Sequence, residues 1–265
     1  MNKTYHFISG LPRSGSTLLC NVLMQNPRFW ASATSGILDV MFGVRNQWDK
    51  LIEFRAMDPA ESDAAKLRVL RGILDAYYAD VDRPVIFDKS RGWLAYLEMA
   101  EAVLEREVRV LVPVRDLRDV LASFELLWRK TSATRQMAQE PANYFQFQTV
   151  EGRCEVWCRA DQPVGLAYNR IKDALARGFR DRMHFVEFEK LTRNPERTMR
   201  RVYEFLGEEY FDHDFDHVEQ VTFENDEVHG IQNLHVIRSK IAPVPPRWPG
   251  VLGDIAEKYV GWELW

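Results

Sequence analysis

The chain has 265 residues, of which 46% are hydrophobic and 28% are charged, as is ordinary for a globular protein. Its net charge of −4 excludes a general positive field that would attract nucleic acid, so an anionic ligand has to be held by local groups. No apolar run is long enough to span a bilayer, and the N-terminal residues lack the apolar stretch and cleavage site of a signal peptide. Three cysteines form no even framework, which favours reduced thiols. We therefore expect a cytoplasmic protein with no nucleic-acid or membrane partner.

The predicted elements alternate between strands and helices along most of the chain. In chain order they are a strand at Tyr5–Ile8, a helix from Ser16 to Gln25, a less regular stretch at Arg28–Lys50, a helix from Asp58 to Tyr78, a strand at Val85–Phe87, a helix at Trp93–Leu104, a strand at Val108–Val112, a helix from about Asp116 to Lys130, one or two helices over Thr149–Gly178, a strand at Met183–Glu187 and a helix from Asn194 to Gly207. The polar segment 131–143 is predicted to be mobile. Residues 210–265 are predicted to form an irregular tail with a short helix near Ile255.

This alternation predicts a three-layer α/β fold with a central parallel sheet and a P-loop-like strand–loop–helix, in one domain over residues 1–265. Val108–Val112 is apolar without alternation, as is typical of a strand buried on both faces. Three of the four predicted strands end in a polar, charged turn: Ser9–Ser16, Asp88–Arg91 and Arg115–Asp119. Because ligands bind beyond the carboxyl ends of parallel strands, these turns predict one shared site.

The first motif is the segment Gly10–Thr17, between the first strand and the first helix. Glycine lets the backbone turn tightly enough for consecutive N–H groups to converge on an anion, and the helix N-terminus adds its dipole. We predict that six residues of this segment bind the anion: Pro12, Arg13, Ser14, Gly15, Ser16 and Thr17. The segment resembles a P-loop, but Ser16 occupies the position of the P-loop lysine, which weakens an assignment as a kinase or NTPase.

The second motif is Arg115–Ser123, directly after the third strand. If a helix begins near Asp116, Ser123 returns to the same face about two turns later. The arginine fork and the serine hydroxyl could then hold a single phosphate from two sides. We therefore predict a second anion site at Arg115 and Ser123.

Together these residues resemble the sulfotransferase family. Leu11–Leu18 is similar to the 5′-phosphosulfate loop of these enzymes, in the arginine form of tyrosylprotein sulfotransferases and many bacterial members. Arg115 and Ser123 match the family's 3′-phosphate site in residue type and spacing. The segment Phe188–Leu191 with Asn194-Pro195 resembles the family's Tyr-Glu-Asp-Leu segment and the helix after it.

The resemblance covers roughly Tyr5–Gly207. It implies an enzyme that moves the sulfuryl group of 3′-phosphoadenosine 5′-phosphosulfate (PAPS) to a hydroxyl or amine of a small-molecule, peptide or sugar acceptor, without a catalytic metal. Two departures from the family are visible. Phe188 replaces the tyrosine near the adenine, which removes a hydroxyl contact. The glutamate base of tyrosylprotein sulfotransferases falls near Ala33-Thr34, where neither side chain can take a proton.

Sulfuryl transfer is expected to be in-line and loose, so that negative charge accumulates on the leaving phosphate oxygen and a nearby cation lowers the barrier. Arg13 is the first candidate for this cation. Lys89 is the second, because Asp88-Lys89-Ser90 resembles the lysine segment of tyrosylprotein and heparan sulfotransferases. Asp88, at the end of a strand, is the candidate base, and three further residues are alternatives: Asp39, His229 and His235.

Arg238 and Lys240 in the tail are candidate phosphate contacts, because the family closes a C-terminal loop over the nucleotide at this place. A solvated basic turn is the alternative. Two other functions are kept open. One is a P-loop kinase with Asp88 as a magnesium ligand, and the other is a nucleotide-binding module without catalysis. A homodimer is also left open.

Overall fold

Five parallel strands form the centre of the structure, a computed structural model that describes residues 3–131, 137, 139–229 and 233–265. In chain order the strands are β1 Thr4–Ile8, β2 Phe29–Thr34, β3 Val85–Lys89, β4 Val110–Val114 and β5 Met183–Glu187. Their order across the sheet is β2-β3-β1-β4-β5, so each carboxyl end lies at the same edge. The prediction of an α/β fold with a central parallel sheet is confirmed.

Helices connect the strands and cover both faces of the sheet. The α-helices are α1 Ser16–Leu23, α2 Ile37–Trp48, α3 Ile52–Arg55, α4 Pro59–Tyr77, α5 Leu97–Leu104, α6 Leu117–Thr131, α7 Val150–Trp157, α8 Pro163–Ala176, α9 Phe188–Arg193, α10 Pro195–Leu206 and α11 Trp248–Leu252. Short 3₁₀ helices lie at Trp93–Ala95, Pro141–Asn143, Gln146–Gln148, Phe179–Arg182, Asp226–His229 and Gly253–Tyr259. Of the helices in the described ranges, none is both long enough and apolar enough to cross a bilayer.

Successive strand residues enter two different cores, because neighbouring side chains of a strand point to opposite faces. Phe7 and Ile86 pack with residues of α2, α4 and α5 on one face. Ile8 and Phe87 pack with residues of α1 and α10 on the other. All five residues of β3 and of β4 are buried, which explains why these strands show no polar alternation.

The prediction of a less regular stretch at Arg28–Lys50 is wrong, because this stretch holds β2 and α2. β2 has the sequence FWASAT and lies at the edge of the sheet, where it pairs with β3. Its small and polar residues give no strand pattern, so the pairing with β3 decides its conformation. α2 contains Gly43 and the exposed Val40, which weaken the helical periodicity.

The predicted strand end before Pro113 is also wrong, because β4 continues to Val114 with Pro113 opposite Val186 of β5. In the predicted mobile segment 131–143, residues 132–136 and 138 lie outside the described residues. The tail after residue 210 has little regular structure, yet Val218 and Ile241 are buried against the core on the α1 side.

Gly10 brings the end of β1 against the end of β4. A Cβ atom at Gly10 would lie 2.1 Å from the carbonyl oxygen of Pro113, far inside van der Waals contact. The neighbouring Leu11 N–H donates to that same oxygen at 2.9 Å. The absence of a side chain at residue 10 therefore allows the loop after β1 to approach the loop after β4.

We expect Gly10→Ala to lower the free energy of unfolding by about 1–3 kcal/mol or to prevent folding, because the methyl group would overlap backbone atoms that cannot turn away. Gly43→Ala is the matched control, since nothing lies within 4 Å of its added Cβ. This helical substitution should instead stabilise by about 0.5–1 kcal/mol. Urea denaturation of both variants measures the difference, and wild-type stability of Gly10→Ala would contradict the close approach.

Candidate active site

A cavity of about 600 Å³ opens at the carboxyl edge of the sheet. The loops after β1, β3 and β4 line it, together with α9 and the C-terminal tail. Eleven of the predicted cation and nucleotide-binding residues lie on its wall: Pro12, Arg13, Gly15, Ser16, Thr17, Lys89, Arg115, Ser123, Phe188, Arg238 and Lys240. Residues distant in sequence are thus brought to one site by the parallel strands.

The loop after β1 curls because two of its residues adopt left-handed backbone angles. Arg13 has φ 58° and Gly15 has φ 84°. Ser14 is buried, and its hydroxyl donates to the carbonyl of Leu11 at 2.5 Å, which braces the turn and leaves Ser14 off the cavity wall. Gly15 is the N-cap of α1 and provides no side-chain acceptor, so the first N–H groups of α1 remain for a ligand.

Gly15 also makes room for Phe188. A Cβ atom at residue 15 would lie 2.6 Å from the Phe188 ring. The same ring also contacts Arg115, whose guanidinium carbon lies 4.5 Å from the ring centroid. Phe188 therefore holds Arg115 by a cation–π contact beside the loop.

The second anion motif joins the first one directly. Arg13 Nε donates to Ser123 Oγ at 3.1 Å, and Arg115 Nη1 donates to the carbonyl oxygen of Arg13 at 3.4 Å. Arg115 Nη2 is 3.5 Å from Asp119 Oδ2. The buried Nε atom is 3.9 Å from Glu189 Oε1 but has no hydrogen-bond partner among the described residues. Arg115 thus retains a donor for an oxygen atom brought by a ligand.

Arg13 lies nearer to this second motif than the sequence suggested. Besides Ser123, its guanidinium donates to the carbonyl of Leu234 in the tail. Burial and the neighbouring Arg115 lower the pKa of Arg13 to about 10, so it remains a cation at neutral pH. Its position between the two motifs suits contacts with a phosphate at either one.

Lys89 and Asp88 point to opposite faces of β3, and only Lys89 lines the cavity. The Lys89 Nζ atom is 3.3 Å from Glu224 Oε2. Asp88 is completely buried and accepts hydrogen bonds from Tyr78 Oη and, at 2.6 Å, from Trp93 Nε1. Burial raises the pKa of Asp88 against the effect of these donors. The predicted position of Asp88 at the site is therefore corrected, because its carboxyl faces Tyr78 and Trp93 in the core and is not part of the cavity wall.

Three tail residues that the sequence did not single out together as a site form a charged cluster next to Lys89. His235 Nδ1 is 2.5 Å from Asp226 Oδ1, and His235 Nε2 is 3.5 Å from Glu224 Oε1. Burial opposes ionisation of Glu224, but Lys89, hydrogen bonds from Thr34 and the nearby His235 together outweigh it and lower the pKa of this carboxyl. Burial also lowers the pKa of His235, so the imidazole is neutral at pH 7. No local pattern marks this cluster, since its members meet only through the fold.

Asn21 on α1 holds the start of this tail segment. Its Oδ1 accepts from the N–H groups of Val221, at 2.7 Å, and of Thr222, at 3.1 Å. Its Nδ2 donates to the Thr222 hydroxyl at 2.9 Å. The helix that follows the anion loop therefore also positions the acids of the tail.

The remaining predicted residues have mixed positions. Lys240 borders the cavity, but its Nζ is 2.7 Å from Asp216 in an exposed ion pair. Asp39 is exposed on α2 and is not part of the cavity wall. The His229 side chain lies outside the described residues. Arg247, which no motif indicated, lines the cavity because Asp119 accepts its backbone N–H at 2.8 Å.

The family model of the sulfotransferase family matches residues 6–212, the part of the chain that builds the sheet and both anion motifs. The chain belongs to the sulfotransferase family. The expected enzyme class is thereby confirmed, and the kinase alternative is no longer favoured. Among curated protein sequences, none matches the chain.

Solved sulfotransferase structures share the fold. The sulfotransferase domain from the curacin biosynthetic pathway is 17% identical, with a TM-score of 0.52 over 100% of this chain and 92% of that one. The sulfotransferase domain of the Synechococcus PCC 7002 olefin synthase is 20% identical, with a TM-score of 0.50 over 97% of this chain and 95% of that one. These likenesses extend beyond residue 212 and so include the tail.

We expect Asn21→Ala to release the tail segment while the sheet stays folded, because the three hydrogen bonds between this buried side chain and the tail are lost. Native-state hydrogen exchange should show faster exchange of the Val221 and Thr222 amides, with unchanged protection in β1 and β4. Asn169→Ala on the exposed side of α8 serves as the control. Unchanged protection at residues 221 and 222 would show that another contact holds the tail.

Proposed function

We propose that this sulfotransferase uses PAPS as its donor and transfers the sulfuryl group to a hydroxyl or amine of its acceptor. The observation that supports the donor best is the adjacency of two anion-binding groups, the loop at 12–17 and Arg115 with Ser123. Arg13 bridges them by its 3.1 Å contact with Ser123. A nucleotide with separate 3′- and 5′-phosphates suits two such groups in one cavity.

The residues at each group fit their proposed phosphate. The Arg115 Nε atom is buried without a hydrogen-bond partner in the described chain, and a 3′-phosphate oxygen would satisfy it. The left-handed turn at Arg13 and Gly15 and the uncapped start of α1 present N–H groups to a 5′-phosphate. Because the Phe188 ring already contacts the Arg115 guanidinium, we assign Phe188 the role of positioning Arg115. Adenine would contact only the part of the ring that Arg115 leaves uncovered.

Lys89 is the proposed cation at the leaving oxygen. When the bond from sulfur to the 5′-phosphate oxygen breaks, charge grows on that oxygen, and an ammonium group beside it stabilises the transition state more than the ground state. Glu224, 3.3 Å from Lys89, orients the ammonium group until then. Arg13 supports the same phosphate from the side of the loop.

His235 is the proposed proton acceptor. Asp226 accepts a hydrogen bond from Nδ1 at 2.5 Å, which fixes the tautomer and leaves Nε2 as the basic nitrogen. As the acceptor oxygen or nitrogen bonds to sulfur, its proton moves to Nε2. The imidazolium that forms lies between Asp226 and Glu224, and both carboxylates stabilise it.

The donor assignment is tested by nucleotide affinity. We expect 3′-phosphoadenosine 5′-phosphate (PAP) to bind about tenfold to a hundredfold more tightly than AMP, because AMP lacks the phosphate that Arg115 and Ser123 would hold. Arg115→Met should abolish most of this preference. Equal calorimetric affinities of the wild-type protein for PAP and AMP would contradict the assignment of Arg115 and Ser123 to a 3′-phosphate.

The roles of Lys89 and Asp88 are separated by two variants. Lys89→Met keeps the aliphatic reach but removes the charge, so donor-dependent sulfate release to water should fall on the order of a hundredfold or more with similar PAP affinity. Asp88→Asn should lower the unfolding free energy while the folded enzyme keeps most of its rate. A wild-type rate in Lys89→Met would contradict the role of Lys89. A large loss of rate in Asp88→Asn with unchanged stability would contradict the structural role of Asp88.

The base assignment predicts a pH dependence. Because burial holds the pKa of His235 below 6.5, the rate should be constant near pH 7 and decline as the pH falls through that lower pKa. His235→Gln should lose this acid limb together with about a hundredfold or more of the rate. Asp226→Asn should slow the reaction and move the limb to lower pH. An acid limb that persists unchanged in His235→Gln would exclude His235 as the proton acceptor.

A further inference from the structure

Two arginines, Arg91 and Arg170, meet at the turn that follows Lys89. Arg91 belongs to the turn after β3 and lines the cavity. Its backbone carbonyl accepts a hydrogen bond of 3.1 Å from Nη1 of Arg170 on α8. The turn that carries Arg91 is therefore held in place by a second cation, Arg170.

Arg91 differs from the other cavity cations near the reacting groups. Lys89 has Glu224 at 3.3 Å, and Arg115 has Asp119 at 3.5 Å. The Arg91 guanidinium has no hydrogen bond or ion pair within the part of the chain that the structure describes. Its nearest acidic influence is Glu224, which already faces both Lys89 and His235. Arg91 is exposed, so water solvates its guanidinium in the free enzyme and its N–H groups are available to an anion that enters the cavity.

The sheet order indicates which ligand that anion belongs to, because β3, which precedes the Arg91 turn, and β4, which precedes Arg115, lie on opposite sides of β1. Arg13, Arg115 and Arg247 act on one another and form the group at the proposed nucleotide phosphates. Arg91 is influenced instead by Arg170 and Glu224. The side chains of Arg238 and Arg247 also lack partners among the described residues. Arg238 belongs to the tail, and Arg247 belongs to the group with Arg13 and Arg115 at the proposed nucleotide phosphates. The Arg91 turn therefore lies across the anion loop from Arg115, on the side that we assign to the acceptor.

We propose that Arg91 binds a carboxylate of the acceptor, so that the enzyme sulfates hydroxylated or aminated carboxylic acids. The planar guanidinium offers two parallel N–H groups that match the two oxygens of a carboxylate. An acceptor held there places its hydroxyl or amine toward Lys89 and His235, the neighbouring groups on the cavity wall. This inference rests on the proposed function, since it takes the Arg13–Arg115 end as the donor site.

Calorimetry on the PAP complex tests the proposal without a known acceptor. The probes are 4-hydroxybenzoate and 4-hydroxyphenylacetate, each compared with its neutral methyl ester. We expect wild type to bind at least one acid about tenfold to a hundredfold more tightly than its ester. Arg91→Met should reduce acid binding to the level of the ester, with ester and PAP affinities unchanged, and Arg91→Lys should keep part of the preference.

The exposed Arg68→Met on α4 is the matched control and should behave as wild type. Absence of any acid preference in wild type would overturn the carboxylate site, as would a loss of PAP affinity in Arg91→Met equal to the loss of acid affinity. Failure of wild type to bind PAP at all would overturn the proposed donor as well. Binding of PAP without acid preference would overturn the carboxylate site alone.

Discussion

The contact between Gly10 and Pro113 determines where the two anion motifs lie relative to each other. With no side chain at residue 10, the Leu11 N–H reaches the Pro113 carbonyl at 2.9 Å across the ends of β1 and β4. Arg115, two residues beyond that carbonyl, can then donate to the backbone of Arg13 at 3.4 Å. The bridge from Arg13 to Ser123 depends on the same approach. A bulkier residue 10 would separate two loops that the proposed donor has to contact together.

The second requirement of the site is charge balance. Several cations face one cavity, and carboxylates reach them from different elements: Asp119 from α6, Glu189 from α9, and Glu224 with Asp226 from the tail. The tail acids are present because Asn21 on α1 fixes Val221 and Thr222. One helix therefore serves the anion with its N-terminus and holds the tail with a side chain.

Buried charges elsewhere show how a site differs from a structural ion pair. Glu125 between α6 and α7 is completely buried and has Arg153 and Arg129 each at 2.7 Å. Trp128 covers Arg153, whose guanidinium carbon is 3.6 Å from the ring centroid, so the Glu125–Arg153 pair is closed to ligands. In the cavity, the Lys89 and Arg115 pairs are longer, at 3.3 and 3.5 Å. These cations are oriented by their carboxylates and still have donors for a ligand.

The alternation of strands and helices, the anion loop and the Arg115–Ser123 motif could be predicted from the sequence, because each depends on residues close together in the chain. β2 could not, since pairing with β3 rather than its own composition makes it a strand. Lys89 lines the cavity and Asp88 does not, because their side chains point to opposite faces of β3. The residues next to them in the sequence do not reveal which face is covered by the core. The cluster of Glu224, Asp226 and His235 and the position of Arg91 before Arg170 arise only in the folded chain, where contacts between distant segments decide which charges share a cavity.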